Sequence, residues 1–116
     1  MSKVHKESDI TCRIGLDSNN VPVRIQWKAD SSPDTPTFRP SKAMLLSFFD
    51  SEFKDTYKID LWTSDLEVAE MDKLMYQTLR GLADSYHRAT NNAELANDMQ
   101  KFVQYFGEKT GLIAEK

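Results

Sequence analysis

One cysteine, two histidines and four glycines are a thin supply of chemistry for a chain of 116 residues. Cys12 stands alone, so no internal disulfide can form and nothing calls for an oxidising compartment. Structural zinc wants four Cys or His ligands in short pairs, which Cys12, His5 and His87 cannot supply. Asp50, Glu52 and Asp55 cluster at a turn but lack the spacing and glycine of a calcium-binding loop. Gly15, Gly81, Gly107 and Gly111 are scattered, so no phosphate-cradling loop exists. The longest apolar stretches, Ala43–Leu46 and Phe48–Phe49, fall far short of the roughly 20 residues of a membrane helix. The first eight residues are polar and read as neither signal peptide nor lipid anchor. No cofactor, no metal and no membrane insertion are expected, and the location is expected to be cytoplasmic.

Acid–base or nucleophilic catalysis needs a base within hydrogen-bond reach of a nucleophile. His5 lies in the polar N-terminal stretch, and His87 reads as a half-exposed polar residue beside a helical stripe. Cys12, between Ile10 and Ile14 on an alternating strand, reads as core filler and not as a reactive thiolate. The chain is therefore expected to be no enzyme. Its net charge of -3, from 15 Lys and Arg against 18 Asp and Glu, argues against nucleic acid as a partner.

What is present is pattern. Residues 1–8 read as a flexible tail, and residues 9–116 as one domain. Ile10, Cys12, Ile14 and Leu16 alternate with polar neighbours, then 17–20 (DSNN) has turn chemistry. Alternation resumes at Val23, Ile25 and Trp27, which makes a hairpin with one wet face; Pro22 suggests an edge position for its second strand. Residues 30–40, with Pro33, Pro36 and Pro40, read as an irregular crossing loop. A third strand over 42–50 and a fourth over 54–62 follow.

After Trp62 the period becomes helical. Ser64 and Glu67 have capping-box spacing ahead of a stripe of Val68, Met71, Met75, Leu79, Leu82 and Tyr86. Gly81 should weaken that helix and permit a close neighbour. Asn91 and Glu94 repeat the cap spacing before a second stripe of Leu95, Met99, Phe102, Val103 and Phe106, which Gly111 is placed to end. Strands followed by helices predict an α+β fold: a four-stranded antiparallel sheet with two C-terminal helices packed on one face.

The third strand breaks the alternation, because both of its faces are apolar. Its row of Met44, Leu46 and Phe48, with Phe53 and Trp62 nearby, is the candidate protein-interaction site. The bland alternative is that the chain's own loop, Phe38 and the proline segment, covers that row. A protein partner, or a second copy of the chain, would use it if it is open.

Several segments also carry a family likeness: 42–50 (KAMLLSFFD), 57–63 (YKIDLWT), Glu70-Met71, 76–79 (YQTL), Ala83-Asp84, 88–91 (RATN) and Tyr105-Phe106. In combination they resemble the gliding motility-associated protein GldC family. The resemblance implies a small cytoplasmic accessory protein of the gliding or cell-envelope machinery, with no catalytic residue or cofactor to carry over. The order of four strands and two helices is also that of the export chaperone SecB, a likeness of topology alone. It supplies an alternative, a client- or peptide-binding chaperone-like module.

Overall fold

The computed structural model describes residues 2–34 and 36–115. Met1 at the start of the expected tail, Thr35 inside the expected crossing loop and Lys116 at the end of the expected domain lie outside the described residues. The element order is β1 (Ile10–Leu16), β2 (Pro22–Ala29), β3 (Arg39–Ser41), β4 (Ala43–Phe49), β5 (Thr56–Trp62), α1 (Val68–Thr90) and α2 (Ala93–Lys109). Two compact units result, one ending at Leu66 and the other beginning at Glu67.

The fold is α+β with antiparallel pairing and two C-terminal helices, but the strands do not form the single four-stranded sheet that their order suggests. They form a three-stranded sheet, β1-β2-β3, and a two-stranded ribbon, β4-β5. The difference arises at residues 39–41, which begin within the end of the segment 30–40 read as loop. There Ile25, Gln26 and Trp27 pair with Ser41, Pro40 and Arg39, and the outer side of β2 is taken by this short strand. Pro22 consequently does not mark an edge, because β2 is the middle strand. The proline is tolerated as the first residue of its strand, beyond the reach of β3 and beside an irregularity at Gly15/Leu16.

The hydrogen-bond phase of this sheet can be followed residue by residue. The amide of Asp30 donates to the Asp9 carbonyl at 3.1 Å, just outside the Ile10–Ala29 pair. Antiparallel ladders alternate hydrogen-bonded and non-hydrogen-bonded pairs. Thr11, Arg13 and Gly15 therefore exchange bonds with Lys28, Gln26 and Arg24, and the backbone groups of Ile10, Cys12 and Ile14 point away from β2. Continued across β2, the same phase puts Gln26–Pro40 at a non-hydrogen-bonded position, where a residue with no N–H loses nothing.

The β1–β2 turn uses the Asp17 carboxylate, which accepts from the amides of Asn19 at 2.8 Å and Val21 at 3.0 Å, with Asn20 at φ 61. Opposed residues share a face, so Cys12 with Trp27 and Ile14 with Ile25 make the apolar side. Among the described residues of this unit, Ile25 is the buried hydrophobe, at 2% exposure. Cys12 is exposed, not core filler; it sits on the outermost strand, which among the described residues pairs with β2 alone. Phe38 lies on the other face, its ring 4.2 Å from the Arg13 guanidinium and 5.2 Å from the Lys28 ammonium.

The helical unit is a hairpin closed by two asparagines. Asn91 takes left-handed backbone at φ 58 as the C-cap of α1, and Asn92 is the N-cap of α2, its side chain accepting from the Leu95 amide at 3.1 Å. The expected N-cap at Asn91 is thus one residue early, since Asn91 is consumed in stopping the preceding helix. The first helix differs likewise from expectation. Ser64 is not its cap; Glu67 is, in a reciprocal box with Glu70. Gly111 at φ 77 follows the end of α2 as expected.

Buried positions in this unit are small or β-branched: Ala83 on α1, with Ala96, Val103 and Gly107 on α2. The close approach expected at Gly81 is absent, for a Cβ there would meet nothing within 4 Å. It occurs at Gly107, where a Cβ would lie 2.6 Å from the Tyr76 ring and 2.9 Å from Ile113.

Candidate functional site

The β4–β5 ribbon is the place where sequence and geometry concentrate apolar side chains. Its tip is a turn built by Asp50. That carboxylate accepts from the amides of Glu52 at 3.0 Å and Phe53 at 2.7 Å, while Lys54 adopts left-handed backbone at φ 59. Asp50 is thereby a structural acid, and Phe53 is held out at the tip, 66% exposed. At the other end the Thr63 amide donates to the Lys42 carbonyl at 2.8 Å. These two ends fix the register Met44–Leu61, Leu46–Ile59 and Phe48–Tyr57.

Directly opposed residues project to the same side, so these three pairs form one continuous apolar face about 13 Å long. The sequence singled out Met44, Leu46 and Phe48 as a row of the third strand, while Tyr57, Ile59 and Leu61 lie on the fourth. The register unites the two rows. Phe48 is 59% exposed, Tyr57 58% and Ile59 49%, with Met44, Leu46 and Leu61 half-buried. Tyr57, Ile59 and Leu61 are the members that sequence reasoning left out, and only the register reveals them.

The other side of the ribbon carries Ala43–Trp62, Leu45–Asp60, Ser47–Lys58 and Phe49–Thr56. Trp62, a candidate for the same site, therefore stands on the opposite face from Met44, Leu46 and Phe48. Lys58 and Asp60 pair there at 3.1 Å. Phe38, offered by the sequence as a cover for the apolar row, has its ring against Arg13 and Lys28 of the first sheet.

Among the cavities beside the ribbon, two share Ile25 as a lining residue. One of about 210 Å3 is lined by Cys12, Ile25, Trp27 and the Ala43–Leu46 segment, a largely apolar space with few polar groups. The other, an open hollow of about 350 Å3, is bordered by Arg24, Lys42, Thr63 and Asp65. Buried Thr63 uses its hydroxyl on the Asp65 carboxylate, and this bond holds the Asp65 carboxyl below the usual range, helped by the Lys42 charge against partial desolvation. A carboxyl lowered by folding adds stability that is complete above its unfolded pKa and is lost as pH falls through the folded one. Asp65→Asn is accordingly expected to leave thermal stability less dependent on pH than in the wild type as the pH falls through and below the ordinary carboxylate range. Parallel melting curves check this; identical acid limbs would mean the Thr63 bond is not coupled to folding.

Among the described residues no group of three His, Cys, Asp or Glu side chains is arranged to hold a metal ion. No helix among them is long and apolar enough to cross a membrane. The family model described as gliding motility-associated protein GldC-like matches residues 22–112, from β2 to the end of the helical hairpin. No curated protein and no solved structure matches the chain.

Proposed function

Because the chain belongs to the gliding motility-associated GldC-like family, we propose that it is a non-enzymatic, cytoplasmic accessory component that binds a protein of the gliding or cell-envelope machinery. The observation that carries this reading is the apolar face of the β4–β5 ribbon, with the exposed Phe48–Tyr57 pair next to its turn. A contiguous exposed apolar surface of this kind is unusual on a protein that works alone. Aromatic anchors such as Phe48 and Tyr57 supply most of the energy in protein interfaces. The location is inferred from the single unpaired cysteine.

Phe48→Asp tests the reading. Phe48 is exposed, so the substitution should move the melting temperature little, whereas loss of an interface anchor costs about 2–4 kcal/mol, or roughly 30- to 1,000-fold in affinity. Tagged wild type and variant are captured from the native cell and compared by mass spectrometry. A recurrent motility or envelope protein held by wild type and lost from Phe48→Asp is the expected result. The same companions on both would move the binding face elsewhere, and a broad spread of unfolded chains would favour chaperone work.

A further inference from the structure

The open side of β1 is a second surface, separate from the ribbon face. Long, flat sheet edges are normally blunted with charge, proline or short length. β1 has seven residues, no proline and one charged side chain, Arg13, and among the described residues it pairs with β2 alone. The backbone groups of Ile10, Cys12 and Ile14 point outward, as the Asp9–Asp30 bond and the position of Pro40 both require. Ile10 is 74% exposed and Cys12 is exposed.

We propose that β1 pairs antiparallel with β1 of a second copy of this chain, with Cys12 on the two-fold axis. Only hydrogen-bonded pairs among Ile10, Cys12 and Ile14 can form along this edge. A register centred on Cys12 uses all three: Ile10 with Ile14 of the other copy, Cys12 with Cys12, and Ile14 with Ile10. Centring on Arg13 would instead set two guanidinium side chains directly opposite each other, which is unfavourable.

Charge selects the same register. Centring on Cys12 places Asp9 of one copy opposite Gly15 of the other. Gly15 has no side chain, and the space where its Cβ would be lies 3.3 Å from Arg24 Nε. Asp9 of the second copy thus enters beside Arg24 and diagonally across from Arg13, a distance long side chains span. An acid meets two cations, while Asp17, its other diagonal neighbour, has its carboxylate turned to the Asn19 and Val21 amides; Thr11 faces Arg13, and exposed Ile10 is covered by Ile14. A strand of unrelated sequence would not supply this set, so the occupant is a second copy.

The register brings the two Cys12 Cα atoms to about 5.5 Å, inside the range of a disulfide. The full-length protein should sediment as a dimer, and mild oxidation with copper phenanthroline should convert it to a covalent dimer through Cys12. Cys12→Ser should keep the dimer and lose the cross-link. Moving the thiol, Ile10→Cys with Cys12→Ser, should also keep the dimer without cross-linking, since the two Ile10 residues lie at opposite ends of the pairing. Cys12→Pro removes an outward N–H that β2 does not use, so it should yield a folded monomer. A monomeric wild type, a dimer that survives in Cys12→Pro, or a thiol at position 10 that cross-links as readily as Cys12 would each overturn the proposal. A dimer lost in Phe48→Asp but kept in Cys12→Pro would overturn it too, by placing self-association on the ribbon.

Discussion

Ile25→Ala is expected to destabilise the chain by about 3 kcal/mol, a large fraction of the total for a small domain. Ile25 is 2% exposed in the middle of the central strand β2, facing Ile14 across the ladder. The loss has a transfer part and a cavity part. The cavity part should be substantial, because Ile25 is the wall shared by both hollows beside the ribbon. Shortening it joins two spaces that rigid β-structure on either side cannot close. Ile25→Val, which keeps the branch and removes one methyl, should cost only about 1 kcal/mol. Urea unfolding of the three proteins measures both values. An alanine variant within about 1 kcal/mol of wild type would show that the core does not turn on this residue.

Gly107→Ala should destabilise the helical hairpin by about 1–2 kcal/mol, although alanine is the better helix former. The intrinsic gain of about 1 kcal/mol is set against a methyl placed 2.6 Å from the Tyr76 ring and 2.9 Å from Ile113. Contacts that close force the ring or the helix to shift, and overpacking of this kind typically costs about 1–3 kcal/mol. Gly81→Ala is the internal control. It lies in the same hairpin with open space around it, so it should stabilise by about 0.5–1 kcal/mol. Helical circular dichroism followed through thermal unfolding should thus shift in opposite directions for the two variants. Shifts of the same sign would mean that propensity, not packing, governs both positions.

Much of the secondary structure was legible in the sequence, because it depends on period. Alternation located β1 and β2, and the 3.6-residue stripes located α1 and α2. What period cannot give is adjacency. Nothing in residues 39–41 (RPS) distinguishes a three-residue strand from loop, yet that strand takes the side of β2 that a single larger sheet would have needed. The same gap explains the candidate site. Met44, Leu46 and Phe48 were identifiable as a row, but whether they share a face with Trp62 or with Tyr57, Ile59 and Leu61 depends on how β4 meets β5. Caps failed for a different reason. Ser64 and Glu67, like Glu67 and Glu70, satisfy the spacing of a capping box, and Thr63 is already bonded to Lys42 and Asp65 just before the helix.

The Asp50 turn gives the ribbon a parity. Because side chains alternate with a period of two, a turn one residue longer would slide β5 against β4 by one step and send Tyr57, Ile59 and Leu61 to the far side. Met44, Leu46 and Phe48 would then look across at lysine, aspartate and tryptophan, and the apolar face would be cut in half without any of its residues being changed. A change of two residues would restore it in shifted register. The carboxylate that grips Glu52 and Phe53 is therefore more than a local fastening: it counts the residues of the turn, and the continuity of the surface depends on the count being right.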